Sequence, residues 1–207
     1  MIGSHQTERR LKTSHQKQFF WALVLAAMAS IAFNRCAISQ QSSAAGPAGT
    51  EVVPRGQRQV NDLTYGGWKK LCFKPGGAKM LCRTSITGTF ATGQIAVRLD
   101  IIEREGDSDG RLQVFSPVGM YLQSPVKLTV DQGKPYLAPY TWCLTNACIA
   151  GTVVNPLLLG EMNTGRMLLL EFVDSNLLSL TTSLPLGQFA VIHKGEAAQI
   201  FEQDIDE

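Results

Sequence analysis

Cys143 and Cys148 stand with four residues between them in "TWCLTNACIAG", and Cys72 and Cys82 with nine between them in "LCFKPGGAKMLC". Paired thiols can clamp a metal, cycle between redox states or close a covalent staple. Structural zinc sites place two to four residues between paired ligands, which suits Cys143 and Cys148 but not Cys72 and Cys82. No histidine lies near either pair, and a Cys-x-x-Cys redox pair is absent. Compartment decides among the three.

The other reactive side chains are few. Beyond His5 and His15 near the N-terminus, His193 in "QFAVIHK" is the one histidine. The alternation Phe189, Val191, His193 predicts a strand face, with the imidazole partly buried or at its rim. A Ser-His-Asp hydrolase would need that residue as base, and no G-x-S-x-G elbow accompanies it. Phosphate loops and dinucleotide fingerprints are absent. Glu103 and Glu105 fall on one strand face where a strand end meets water. Asp107-Ser108-Asp109-Gly110 resembles a calcium loop only in its first residues, because Val118 stands where a bidentate Glu is required. Tyr136, Tyr140 and Trp142 could form a binding platform, although packing is the default for such rings. No cofactor and no metal is expected.

The N-terminal residues set the compartment. A basic run with Arg9, Arg10, Lys12 and Lys17 precedes an uninterrupted apolar run from Phe19 to Phe33. A basic segment, an apolar core and a small-residue exit at Ala37-Ile38-Ser39 describe a secretory signal over residues 1–39. An uncleaved anchor through residues 19–33 is the alternative, although a spanning helix wants about 18 or more apolar residues. Residues 1–39 hold five of the nineteen Lys and Arg and one of the seventeen Asp and Glu, so a mature chain carries fourteen basic and sixteen acidic residues. No basic footprint for nucleic acid remains. With Cys36 lost in the leader, export makes the four remaining cysteines a disulfide framework. Three pairings are possible, and sequence proximity favours Cys72–Cys82 and Cys143–Cys148.

Elements must position these groups. Residues 40–59, rich in Ser, Gly, Pro and Gln, predict a flexible linker. Residues 60–203 suit one domain, and residues 204–207 an acidic tail. "QIAVRLDII", "PVKLTVD" and "NLLSLTTSL" alternate apolar and polar positions as half-buried strands do. Gly- and Asp-rich turns punctuate them. "WKKLCFKPGGAKMLCRTS" and "TWCLTNACIAG" predict hairpins, each crossed by its own cysteine pair. Asn155 and Pro156 open one short helix. The sum is an all-β, disulfide-stapled, β-sandwich-like domain with one short helix.

The stretches "YGGWKKLCF" with "MLCRTS", "TGTFATGQIAVRLDIIERE", "LQVFSPVGMYLQSPVKLTVD", "PYTWCLTNACIAG", "MLLLEFVDSN" and "SLTTSLPLGQFA" resemble the invasion-associated locus B family of Gram-negative bacteria over about residues 62–203. The resemblance implies an exported protein of the periplasm or cell envelope, linked in some pathogens to host-cell entry. It brings four matching cysteines and the aromatic Trp68 and Trp142, and no catalytic residues. The function expected is a non-enzymatic envelope module binding an envelope or host-surface protein. A periplasmic enzyme or chaperone-like factor with an unrecognised site is the alternative. Trp68, four residues before Cys72, and Trp142, directly before Cys143, are expected to pack over the sulfurs or the opposite sheet and serve the fold.

Overall fold

The computed structural model describes residues 52–203. The expected leader, the first part of the linker and the acidic tail lie outside the described residues. Among the described residues, thirteen strands make two sheets, with two short helices.

The five-stranded sheet runs β1 (Gly56–Gln59), β12 (Leu178–Pro185), β11 (Met167–Val173), β7 (Val126–Val130) and β8 (Tyr136–Ala138). The larger sheet runs β13 (Gln199–Gln203), β3 (Lys69–Pro75), β4 (Leu81–Thr89), β5 (Ile95–Arg104), β6 (Arg111–Ser116), β10 (Cys148–Val153) and β9 (Tyr140–Cys143), and β2 (Thr64–Tyr65) pairs with β4. Alternation places every second side chain on one face. Ile86, Leu99, Ile101, Leu112 and Val114 of the larger sheet join Val126, Leu128, Leu168, Leu170 and Leu184 of the smaller in one buried cluster. Burying such side chains contributes about 1.5–3 kcal/mol each.

Both predicted hairpins form, with Cys72 opposite Cys82 and Cys143 opposite Cys148. Both pairs are bonded as disulfides. The expected helix is α1 (Pro156–Thr164). Its cap is Asn155, whose side chain accepts from the Leu157 amide at 2.8 Å, and Leu158 and Met162, one turn apart, enter the core.

Two expectations are corrected. Residues 56–59, expected within the linker, are β1, lying parallel to β12 from Leu178 to Thr181. Backbone bonds continue on both sides, from the Arg55 amide to Leu177 at 2.7 Å and from the Val60 amide to Thr181 at 2.8 Å. All four β1 residues are exposed. Main-chain hydrogen bonds hold the strand, and an apolar period is therefore missing from its sequence. The segment around His193 is helix α2 (Phe189–Lys194), not a strand. Val191 is 74% exposed, while Phe189 and His193 share a face at the i, i+4 spacing of a helix.

Candidate functional site

Trp68 lies in the core. It is buried, its Nε1 donates to the Pro185 carbonyl at 2.8 Å, and its ring meets Phe189 edge-on at 4.7 Å between centroids. Phe189 in turn stacks on His193 at 5.1 Å. His193 Nε2 lies 2.9 Å from Glu103 Oε2, and Lys70 Nζ donates to the carbonyls of His193 and Gly195. The hydrogen bond from His193 is the main cause holding the Glu103 carboxyl below its ordinary pKa, outweighing desolvation, with the charges of His193 and Lys70 adding to it. Glu103 thus ties β5 to α2 rather than ending a strand in open water. His193 Nδ1 is buried without a hydrogen-bond partner. A relay in which the imidazole takes a proton from a serine or cysteine needs that nucleophile on one ring nitrogen while an acid holds the other, and no such nucleophile bonds this ring among the described residues.

Trp142 is where the sequence expectation fails. The residue is 58% exposed, on the outer face of edge strand β9, so it packs neither over the Cys143–Cys148 staple inside the sandwich nor against the opposite sheet. Tyr136 and Tyr140 are half-buried. The Tyr136 hydroxyl donates to Glu161 at 3.0 Å, and the Tyr140 hydroxyl lies 3.4 Å from Ser116 Oγ. The three rings therefore do not share one platform.

Trp142 instead ends a row that crosses the outer face of the large sheet. Register places Thr87, Arg98, Phe115, Ile149 and Trp142 side by side on β4, β5, β6, β10 and β9. The next row is Lys69, Ser85, Asp100, Gln113 and Gly151. A third holds Gln199, Leu71, Arg83, Ile102, Arg111 and Val153. Phe201, Phe73, Leu81 and Arg104 form the fourth. These rows carry five cations, Lys69, Arg83, Arg98, Arg104 and Arg111, against one carboxylate, Asp100. That carboxylate is buried. Burial pushes its pKa up, and Arg98 and Arg83 pull it part of the way back. The outer face of the other sheet differs: Ser179, Thr181 and Ser183 line it, and Lys127 pairs with Glu171 at 3.4 Å.

Among the described residues, three grooves mark the basic face; the one among Leu71, Phe73, Leu81, Arg83, Ile102 and Phe201 encloses about 270 Å³, and two more lie toward β9. One, of about 270 Å³, is lined by Arg111, Gln113, Thr141, Trp142 and Gly151. Its floor is the bare backbone of Gly151, where a Cβ would come 3.3 Å from the Leu112 carbonyl oxygen. The other, of about 410 Å³, runs beside Arg98 and Phe115 to the stapled hairpin tip at Leu144, Asn146 and Ala147. A separate apolar crevice lies among Leu63, Phe90, Met120 and Phe172. It encloses about 80 Å³ and no ionisable side chain lines it, whereas drug-sized ligands occupy about 300–1,000 Å³. Among the described residues no group of three His, Cys, Asp or Glu side chains could hold a metal, and no helix is long and apolar enough to cross a membrane.

Sequence reasoning placed Arg98 and Asp100 on the polar side of β5 but left Arg83, Arg104 and Arg111 unread. Their joint position depends on the register of β4, β5 and β6, which no single stretch encodes.

The family model described as Invasion associated locus B (IalB) protein matches residues 68–196. Among solved structures, the crystal structure of invasion associated protein B from Bartonella henselae aligns with a TM-score of 0.54 at 21% identity, covering 61% of this chain and 88% of that one. No curated protein matches the chain.

Proposed function

The chain belongs to the invasion associated locus B family, and from that premise we propose that it is an exported, non-enzymatic envelope module that binds a partner through the outer face of its large sheet. The observation that carries this reading is the imbalance on that face: Lys69, Arg83, Arg98 and Arg111 stand against one buried carboxylate, with Arg104 paired to Asp107 at 3.8 Å and the Trp142 indole exposed. Exposed aromatic and arginine side chains are the types that dominate binding hot spots. Phe73 and Phe201, adjacent on β3 and β13, are exposed on the same face. Two short-range disulfides suit the oxidising periplasm or cell surface of a Gram-negative bacterium.

A photo-crosslinking amino acid at position 142 or at position 183, on the opposite face, tests this in intact cells. Adducts specific to position 142 are expected. Equal adduct patterns from the two positions, or none from 142, would overturn it.

A further inference from the structure

We infer that the groove between Arg111 and Trp142 binds an acidic polysaccharide, one whose sugar units carry carboxylates; the inference rests on the docking face just proposed and names its ligand class.

The walls of the groove are chemically distinct. Trp142 offers a large exposed aromatic face with an N–H at its edge, and such a ring is apolar on its face and polar at its rim. The axial C–H bonds of a pyranose present a matching flat, weakly positive surface to that face. Gln113 supplies an amide that both donates and accepts, and the Thr141 hydroxyl, which donates to the Ile149 carbonyl at 3.0 Å, keeps its oxygen as an acceptor for a sugar hydroxyl. Arg111 closes the other side with a planar fork suited to a carboxylate. The bare backbone of Gly151 keeps the floor flat enough for a ring to lie down.

Charge extends the site beyond one sugar. Arg83 and Arg111 share a row with Ile102 between them, and two strand spacings put them roughly 10 Å apart. Arg98 lies beside the groove that runs to the hairpin tip, 3.7 Å over the Phe115 ring. The cations thus repeat across the strands, which suits a chain carrying regularly spaced negative charges. A peptide docked on a sheet more commonly extends it at an edge, by backbone hydrogen bonds. Here Arg83, Arg98 and Arg111 project from the central strands β4, β5 and β6, only Thr141 and Trp142 come from edge strand β9, and the row of side chains runs perpendicular to the strand direction. Asp100, buried beneath the cations, is the one carboxylate in these rows and does not reach the surface to repel an anionic ligand.

Binding of hexameric oligogalacturonate to the full-length protein tests the inference, followed by titration and by acrylamide quenching of tryptophan fluorescence. Neutral maltohexaose and hexaglutamate serve as comparison probes. Oligogalacturonate is expected to shield Trp142 from acrylamide and to bind at least tenfold more tightly than either comparison, with affinity falling as salt rises. Arg111→Ala and Trp142→Ala should each weaken it at least tenfold with the melting temperature unchanged. Arg58→Ala, which removes an exposed cation from β1, should change it less than twofold. Gln113→Ala gives a second probe of the same groove should either variant fail to fold. Hexaglutamate binding as tightly as oligogalacturonate, or a Trp142→Ala protein that binds like the parent, would overturn the inference. Should position 142 crosslink in cells while oligogalacturonate does not bind, the ligand class is wrong and the docking face stands. Should neither occur, the docking face itself is wrong.

Discussion

Arg98 bridges an aromatic ring and a buried acid: its guanidinium carbon lies 3.7 Å over Phe115, and its Nε lies 3.2 Å from Asp100 Oδ2. The cation is therefore held flat against the sheet, with its outer surface left to solvent. Asp100 Oδ1 is buried with no hydrogen-bond partner, so the carboxylate neutralises its neighbours without being fully satisfied.

Asp100→Asn follows from that imbalance. Burial raises the folded pKa of Asp100 above its ordinary value, more than Arg98 and Arg83 lower it. A carboxyl with a raised folded pKa binds its proton more readily in the folded state. Its contribution is thus most favourable below the unfolded pKa and is lost as pH rises through the folded value. The Asn variant should escape that loss. Arg98, still stacked on Phe115 and partly solvated, should tolerate the missing partner. At neutral pH the variant should lie within about 1 kcal/mol of the parent, in contrast to the 3–5 kcal/mol expected for breaking a fully buried pair. The parent alone should gain stability relative to the variant as pH falls into the carboxylate range. Urea unfolding of both proteins across that range is the measurement, and a neutral-pH loss above 3 kcal/mol would contradict it.

The two tryptophans should behave oppositely. Trp68 fills the core beside Phe189 and donates to Pro185, so Trp68→Ala should cost about 3–5 kcal/mol. Trp142 stands in solvent, so Trp142→Ala should stay within about 0.5 kcal/mol of the parent. Thermal unfolding of the two variants side by side separates them. Comparable losses would mean that Trp142 packs in solution.

What was legible in the sequence follows the range of the forces involved. The Cys72–Cys82 hairpin is local: Pro75-Gly76-Gly77 turns the chain and the strands on either side alternate. Gly77 has a φ of 67°, a conformation glycine adopts at little cost. The helix at Asn155 and Pro156 is equally local, since its cap and first turn are adjacent residues. Strand β1 escaped because only its backbone is engaged. Helix α2 escaped because Phe189, Val191 and His193 fit a strand period as well as a helix, and only the exposure of Val191 separates the two. The basic face is the least local feature. Arg83, Arg98 and Arg111 come from three strands, and a shift of one residue in any register would send one of them to the core face.

Glu103 supplies a pH dependence of opposite sign to that of Asp100. Its folded pKa is lowered, first by the hydrogen bond from His193. A lowered carboxyl pKa gives stability that is present above the unfolded value and is lost as pH falls through the folded one. Glu103→Gln should therefore be less stable than the parent at neutral pH, with the gap closing in the acid range. The carboxylate is more than a third exposed, so after solvent screening the gap should stay below about 1 kcal/mol. Acid titration of the melting temperature for both proteins checks this. A gap that widens on acidification would show that the His193 contact does not favour the ionised carboxylate.

The Cys143–Cys148 bond couples stability to the proposed site. It closes the tip Leu144–Ala147, which walls one groove, and it anchors edge strand β9, which carries Trp142. Strand β9 lies at the edge of the sheet and pairs with β10 across a register shift between Ile149 and Ala150. With few ladder bonds of its own, it depends on the staple for its position. Replacing both cysteines by serine should cost about 2 kcal/mol on the chain-entropy account, and the Cys72–Cys82 pair, closing a longer loop, slightly more at about 3 kcal/mol. The functional consequences should differ. Cys72 and Cys82 face the core side of β3 and β4, opposite the cationic rows, so their loss should lower stability and leave groove affinity within about twofold once the protein is folded. Loss of the 143–148 bond should free the β9 edge and weaken oligogalacturonate binding by far more than its stability cost alone implies. Hydrogen exchange should then show faster exchange of the Leu144 amide, which donates to the Ala147 carbonyl at 2.7 Å across the hairpin tip. Equal effects of the two double variants on binding, measured well below both melting temperatures, would mean that the staple beside Trp142 has no special part in shaping the groove.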